Sequence, residues 1–164
     1  MAARIDRKIL PRFLGFTGSN MSMMVRAFEA KDEHAVVELW SRCGLIRPTN
    51  DPHADVQRKL RVRPDLFLVG VLEGEIVASV MAGYEGHRGW LNYVAVDPAH
   101  QRQGLGKAIV AHAEARLRES GCPKINLQVR TGNQVAIDFW ERIGYARDDV
   151  VSMGKRLAND RLPS

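Results

Sequence analysis

The segment VAVDPAHQRQGLGKAIV, residues 94–110, constrains the fold most, because it joins a strand pattern to a helix pattern through a glycine-containing turn. A β-rich run over Trp90–Val96 ends at Asp97-Pro98, and a helix is predicted over residues 104–119. The first N–H groups of such a helix have no acceptor inside it. Glycine lets an anion come close to those groups, so the segment predicts a phosphate or pyrophosphate site.

The spacing of the glycines separates this loop from two common phosphate-binding motifs. A P-loop requires glycine at 101 and Ser or Thr at 108, where the chain has Gln101 and Ala108. The dinucleotide fingerprint requires a third glycine at 109, where the chain has Ile109. What remains is Gln-x-x-Gly-x-Gly, flanked by positive charge from Arg102 and Lys107; alone, this pattern is also compatible with an ordinary helix start.

The remaining chain alternates strand and helix patterns, and two consecutive hairpin strands argue against a purely parallel sheet. We therefore predict an α/β (α+β) domain with a mixed sheet. Strands are predicted at residues 23–28, Leu66–Leu72, Glu75–Gly83, Trp90–Val96, Lys124–Arg130 and, as one or two closing strands, 146–157. The other helices are predicted from Asp32 to Cys43, from Asp51 to about Val62, and from Gly132-Asn133 onward with a buried stripe of Val135, Ala136, Phe139, Trp140 and Ile143.

Size and charge limit the possible partners. The 164 residues fit one domain, predicted over residues 23–164, and no apolar run is long enough to predict a membrane span. Residues 1–22 are expected to form a disordered basic tail or to result from a start placed too early. Of the net charge of +5, three charges fall within residues 1–20, so we expect no nucleic-acid partner and no membrane partner.

With these motifs in place, the sequence resembles the GNAT superfamily of acyl-CoA-dependent N-acetyltransferases. The likeness covers about residues 23–157 and is most specific in residues 94–109 and in LQVRTGNQVAIDFWERIGY, residues 127–145. The stretches ELWSRCGLIRPTNDP and GYEGHRG resemble a small bacterial subgroup, the YpeA-type acetyltransferases.

The resemblance implies a GNAT-type acyl-CoA N-acyltransferase fold with six or seven strands and about four helices. It implies an N-acetyltransferase that moves the acetyl group of acetyl-CoA to a primary amine by direct attack in a ternary complex. The acceptor would be a small-molecule amine or a peptide amine, and the protein a cytoplasmic monomer or homodimer. The acetyl-CoA would fill a gap between the strands at Trp90–Val96 and Lys124–Arg130.

The same resemblance assigns coenzyme contacts to positions of this chain. The backbone of one strand would contact the pantetheine, the glycine loop would surround the pyrophosphate, and a polar side chain on the last helix would touch the coenzyme. Trp140 stands where the family has a tyrosine that protonates the leaving thiolate, which opens the alternative of a noncatalytic acyl-CoA-binding or sensing module. The assigned residues are Val94, Ala95, Val96, Gln101, Arg102, Gln103, Gly104, Leu105, Gly106, Lys107, Asn133 and Trp140.

The sequence offers fewer candidates for proton transfer than for coenzyme contacts. Glu85 and His87 in GYEGHRG are candidate bases, or the solvated charges of a hairpin loop. Tyr145 is a candidate acid in place of Trp140, or a core aromatic. A backbone N–H of the strand at residues 90–96 is expected to stabilise the oxyanion. Asn92 and Tyr93 either point into the cleft or only follow the ordinary alternation of strand side chains. Asp51 either caps a helix or belongs to an acceptor-binding loop. No Cys and His spacing predicts a metal site.

Overall fold

The structure is a computed structural model that describes residues 22–158. Apart from Ser22, the predicted tail lies outside the described residues. Within them the strands are β1 (Met24–Ala27), β2 (Phe67–Leu72), β3 (Glu75–Tyr84), β4 (Gly89–Val96) and β5 (Ile125–Asn126). The α-helices are α1 (Glu33–Arg42), α2 (Pro52–Leu60), α3 (Leu105–Glu119) and α4 (Gln134–Arg142).

The described strands form one mixed sheet, as the sequence predicts. Its order is β1-β2-β3-β4-β5, and all neighbours are antiparallel except β4 and β5, which are parallel. The β2–β3 hairpin turns at Glu73 and Gly74, which have φ values of 53° and 85°. Left-handed backbone at two successive positions matches the right-handed twist of the strands, which is why this pair makes a tight hairpin.

Helices cover both faces of the sheet because its strands alternate apolar side chains between the two faces. One buried cluster joins Phe67 and Val69 of β2 to Trp40 of α1 and Val56 of α2. The second cluster places the intervening strand residues against α3 and α4. Its fully buried members include Leu68, Val80, Ile109 and Leu117. Two cores on one sheet fix α3 and α4 on the face opposite α1 and α2.

The C-terminal part differs from the sequence-based expectation. Residues 146–158 form no strand, and β5 covers two residues instead of the seven predicted, so the described sheet has five strands rather than six or seven. Residues 127–130 keep the predicted alternation, but a strand needs a ladder partner, and β4 has already moved away from them. Side chains of the segment 146–158 contact residues that flank β5, including a 2.6 Å ion pair between Lys124 and Asp148.

One predicted core position is also wrong. Val135 of α4 is 83% exposed, whereas Trp140 is buried as expected. Val135 is the second residue of its helix, where the helix has only begun to approach the sheet. Among residues 22–158, no helix combines the length and the apolar character that a membrane crossing requires.

Candidate functional site

The N-terminus of α3 is left open for a ligand. Its N-cap residue is Gly104, with φ of 82°, so no side chain is available there to accept a hydrogen bond from the first turn. The N–H groups of Leu105, Gly106 and Lys107 therefore keep the unsatisfied donor capacity that a helix start presents. Gly104 is exposed, and a Cβ added to it would meet no atom within 4 Å. The geometry fits an anion approaching from solvent.

The charges at this helix start favour the same ligand. Acidic side chains normally stabilise the first turn of a helix, yet the first turn of α3 has none and instead carries Lys107. Arg102 lies just before it, exposed and with a positive φ of 62°. Two cations beside the positive end of a helix dipole raise the local potential, which an anionic ligand would neutralise.

The two glycines of the loop serve different purposes. Gly104 supplies the left-handed backbone that ends the turn. A Cβ on Gly106 would lie 3.2 Å from the ring of Phe139 and 3.6 Å from Cγ2 of Val96. Gly106 thus allows α3, α4 and the end of β4 to pack closely, which holds the helix start next to the strand.

Gln101 ties the loop to the strand. Its Nε2 donates to the carbonyl oxygen of Val96 at 3.1 Å, and the Cys43 thiol donates to the same oxygen at 3.3 Å. A carbonyl oxygen has two lone pairs, so this acceptor is already occupied. Ala95 pairs with Ser79, and the neighbouring N–H of Asp97 donates to Val77, so the backbone of Ala95 faces β3 and not the predicted coenzyme. The strand acceptor left for a pantetheine is therefore that of Val94.

A cleft opens beside the loop, where β4 and β5 separate. Their parallel ladder consists of Gly89 with Ile125 and Trp90 with Asn126, and it ends there. Within residues 22–158, the rest of β4 has no ladder partner on that side. The predicted gap between these two strands is thus present, and its far end reaches the start of α3.

A β-bulge bends β4 at the side of this cleft. Ser79 pairs with Ala95 while Met81 pairs with Asn92, so one residue of β3 faces both Tyr93 and Val94. Tyr93 has φ of 48°, an unfavourable backbone conformation for an aromatic residue. A bulge increases local twist and bends the strand, which accounts for the divergence of β4 from β5.

The side chain of Tyr93 is half-buried on the α1–α2 face. Its ring stacks on Trp40 with centroids 3.9 Å apart. Its hydroxyl donates to Asp55 at 2.6 Å and accepts from Asn50 at 2.5 Å. Burial, and then the Asp55 carboxylate, raises the pKa of Tyr93. At neutral pH the hydroxyl is a protonated donor that fixes α2 and the α1–α2 loop against the bulge.

Glu85 and His87 lie at the other end of β4. The Glu85 carboxylate accepts from the backbone N–H groups of His87 at 2.9 Å and Arg88 at 3.0 Å. These two bonds lower the pKa of Glu85. From Arg88 to Tyr93 the strand rises about 16 Å. The structure therefore places both candidate bases beside the closed end of the β4–β5 pair.

Tyr145 and Trp140 lie next to each other, away from the loop. The Tyr145 hydroxyl donates to Glu114 at 2.9 Å, and its ring meets Trp140 edge-on at 4.9 Å. Glu114 is about 14 Å along α3 from Leu105. Burial and the Glu114 carboxylate raise the pKa of Tyr145. The structure does not bring this hydroxyl to the helix start.

Asn133 and Asp51 both begin helices. The Asn133 side chain accepts from the N–H of Ala136 at 3.2 Å, which leaves its amide nitrogen free to donate to a ligand. Asp51 accepts from the N–H groups of His53 and Ala54, so the capping alternative for Asp51 is confirmed.

The polar connections around the bulge were missed by sequence reasoning. Ser79 lies in the middle of a buried strand, where the alternating pattern assigns it to the core. The one available signal was a serine among apolar neighbours in EIVASVMAGY, because a buried hydroxyl needs a partner. The identity of that partner depends on the bulge, which local propensity does not predict.

Comparison with known proteins gave consistent results. The model of a family described as acetyltransferase (GNAT) matches residues 31–145. An acetyltransferase of Pectobacterium atrosepticum is 47% identical over 139 residues, which are 85% of this chain and 99% of that protein. The fold resembles Ard1 from Thermoplasma volcanium, with a TM-score of 0.69 and 24% identity over 76% of this chain and 82% of that one.

A second solved structure shares the architecture. It is AAC(6')-Iy in complex with the bisubstrate analogue CoA-S-monomethyl-acetylneamine, with a TM-score of 0.68 and 16% identity. The match covers 82% of this chain and 99% of that one. These structural likenesses confirm the predicted fold class.

Proposed function

The chain belongs to the acetyltransferase (GNAT) family, and from this premise we propose that it moves the acetyl group of acetyl-CoA to the nitrogen of a primary amine. The observation that carries the proposal is the uncapped N-terminus of α3 at Gly104, beside the unpaired edge of β4. An anion site and a free strand edge in one groove match a ligand that has a diphosphate at one end and amide groups further along.

The coenzyme contacts follow from that groove. The N–H groups at the start of α3 would bind the diphosphate, with Arg102 and Lys107 adding charge. The free carbonyl oxygen of Val94 would accept a hydrogen bond from a pantetheine amide. This arrangement directs the thioester along β4 toward the bulge, on the side where the strands separate.

The transfer itself needs no covalent enzyme intermediate. The nitrogen lone pair of the neutral amine attacks the thioester carbon, the new C–N bond forms, the C–S bond breaks, and CoA leaves as a thiolate. A thiol has a pKa near 8.5, so the thiolate leaves without an obligatory acid. The amine must lose one proton, and a backbone N–H of β4 would stabilise the oxyanion.

Glu85 and His87 remain our candidates for accepting the amine proton, through a chain of water molecules, because about 16 Å of strand separates Arg88 from Tyr93. Because backbone hydrogen bonds lower the pKa of Glu85, its carboxylate is ionised at neutral pH. Replacing Glu85 with Gln should then lower the rate mainly at low pH, and a flat pH profile of the rate ratio would remove Glu85 from the mechanism. Tyr145 is our candidate for the donor of the thiolate proton, and Tyr145→Phe should lower kcat if its hydroxyl supplies that proton.

The acceptor is proposed as a small-molecule or peptide amine. AAC(6')-Iy, with its acetylneamine-containing analogue, is a neighbour of the first kind. We extend the proposal to a cytoplasmic location, where acetyl-CoA is made and used, to a monomer or homodimer, and to the YpeA-type subgroup.

Two measurements test the proposal together. Calorimetry with acetyl-CoA should show micromolar binding, and a thiol reagent should detect free CoA when a broad panel of primary amines is added. Binding without any CoA release would favour the noncatalytic module suggested by Trp140. The absence of binding at millimolar acetyl-CoA would overturn the proposal.

A further inference from the structure

We propose that Ser79, a buried serine of β3, is a positioning residue that directs the N–H of Val94 at the thioester oxygen. This inference rests on the proposed function, since it assigns the oxyanion donor of that reaction. Its support is independent, because it comes from the hydrogen bonds and backbone conformation at the bulge and not from the coenzyme loop.

The bulge contains a strained backbone conformation that surrounding contacts must stabilise. Tyr93 is not glycine, and its φ of 48° costs roughly 1–3 kcal/mol for such a residue. Backbone strain of this kind persists only where the surroundings determine it, and it concentrates at functional sites. Contacts from neighbouring residues must therefore fix this peptide.

Ser79 makes the polar side-chain contact to that peptide. Ser79 and Trp40 are both 0% exposed. The Trp40 indole N–H donates to Ser79 Oγ at 2.8 Å, and Ser79 Oγ lies 3.0 Å from the carbonyl oxygen of Tyr93. An indole nitrogen is only a donor, so Oγ accepts from Trp40 and its own proton goes to Tyr93. The direction of this chain of hydrogen bonds is thereby fixed.

The geometry of a peptide unit transfers this constraint across β4. The peptide between Tyr93 and Val94 is trans, so its C=O and N–H point in opposite directions. Because the C=O points toward Ser79 on β3, the N–H of Val94 points away from β3. That is the side of β4 on which β5 has separated and the cleft has opened.

The other contacts of Tyr93 act on its side chain. The stacking on Trp40 and the hydrogen bond to Asp55 fix the ring and hydroxyl, but neither orients the peptide plane. Ser79→Ala would leave the Tyr93 carbonyl without this donor while keeping the ring in place. The peptide could then rotate, and the N–H of Val94 would lose its fixed direction.

The test uses acetyl-CoA labelled with ¹³C at the thioester carbonyl, bound to the full chain and examined by difference infrared spectroscopy. A directed N–H polarises the carbonyl and lowers its stretching frequency, so no acceptor amine is needed. We expect wild type to lower the frequency relative to free acetyl-CoA, and Ser79→Ala to lose more than half of that shift. Ser79→Cys, with a weaker donor of similar size, should fall between them.

The matched control is Val69→Ala. Val69 is 0% exposed, pairs with Ser79 across β2 and β3, and makes no polar contact with the bulge. Its truncation should destabilise the same core at least as much, without changing the carbonyl frequency. An equal frequency change in both variants would mean that Ser79 acts only through stability and would overturn the inference.

Kinetics give a second readout with an acceptor from the amine panel. Ser79→Ala should lower kcat about tenfold, less than the loss of an oxyanion donor outright, and leave KM for acetyl-CoA within twofold. If wild type binds acetyl-CoA but Ser79→Ala shows the same carbonyl frequency and kcat, this inference fails and the proposed function stands. If wild type does not bind acetyl-CoA, the proposed function fails first.

Discussion

The starts of α2 and α3 are built in opposite ways. Asp51 caps α2 by accepting from two backbone N–H groups, and Pro52 removes one donor at the first helical position. α3 begins at Gly104 with no side-chain cap and has Lys107 in its first turn. Within α2 the chain itself satisfies the first backbone N–H groups, whereas α3 leaves the equivalent N–H groups facing solvent.

This difference separates stability from ligand binding within one small domain. A capped start contributes about 1 kcal/mol to folding. At α3 the chain forgoes that contribution and places a cation where an anion would stabilise the helix. Gly104 and Lys107 thus both depart from the usual rules of helix capping. Two such departures at neighbouring positions are typical of a site where a bound ligand, and not the chain, satisfies the helix start.

Gly104→Val should have the largest effect on the difference between the two helix starts. Valine is strained at a φ of 82°, and its branched side chain would occupy the approach to the N–H groups. Several charge-assisted hydrogen bonds would be lost, so we expect acetyl-CoA affinity to fall at least about 100-fold in calorimetry while the circular dichroism spectrum is kept.

Gly74→Val is the matched control for that variant. Gly74 has φ of 85°, and a Cβ there would also meet no atom within 4 Å, but it lies in the β2–β3 turn. It should lose similar stability and keep full affinity. Equal losses of affinity in both variants would contradict the assignment of the α3 start as the diphosphate site.

Lys107→Glu should give two effects of opposite sign. A carboxylate in the first turn interacts well with the helix dipole, so the free energy of unfolding should rise by about 0.5 kcal/mol. Acetyl-CoA affinity should fall about tenfold at low salt, because a cation near the phosphates becomes an anion.

The control for this charge reversal is Arg118→Glu in the last turn of α3, which changes the net charge equally. We expect affinity there to stay within threefold. A comparable loss would indicate that overall charge, and not the helix start, attracts the coenzyme.

The two capping side chains form a third test. Asp51→Ala and Asn133→Ala should each lower the free energy of unfolding by about 1 kcal/mol in urea titrations. Only Asn133→Ala should also reduce acetyl-CoA affinity, by a few-fold, because its amide nitrogen is free to donate. Unchanged affinity in both variants would leave Asn133 as a helix cap alone.

The smallest expected effect is on the pH dependence of stability, and it comes from Lys59 near the C-terminal end of α2. Its ammonium group donates to the carbonyl of Ala82 at 2.6 Å, and burial lowers its pKa to about 8. In the unfolded chain the lysine stays protonated at pH 8, so the unfolded state binds more protons and stability rises with pH.

Between pH 7 and pH 8 the Lys59 contribution to the free energy of unfolding should rise by about 0.4 kcal/mol. Lys59→Met removes that titration, so the difference between the two proteins in urea titrations should change by this amount. Parallel pH profiles for wild type and variant would show that Lys59 keeps its ordinary pKa in the fold.

Sequence patterns predicted the helices and the hairpin because those elements are encoded locally. Asp51-Pro52 marks a helix start, and the four-residue spacing over α3 marks its buried face. The prediction of C-terminal strands was wrong because a strand needs a neighbouring strand as its hydrogen-bonding partner. Residues 127–130 alternate correctly, yet β4 has turned away from them.

The candidate site likewise has one part that the sequence predicts and another part that it does not. The glycine loop is contiguous in sequence, so its chemistry was predictable from residues 101–107. The group around Tyr93 comes from α1, α2, β3 and the α1–α2 loop, at sequence separations of up to 53 residues. Such an arrangement is set by tertiary packing, so Ser79 and Asp55 could not be selected from the sequence.

The two-rung contact between β4 and β5 has a final consequence. A groove that is already open along β4 admits a ligand without any interstrand hydrogen bond having to break first. In the proposed reaction the pantetheine would act as a missing strand that completes the sheet. Coenzyme binding should therefore slow amide hydrogen exchange at Val94, with little rearrangement of the surrounding fold.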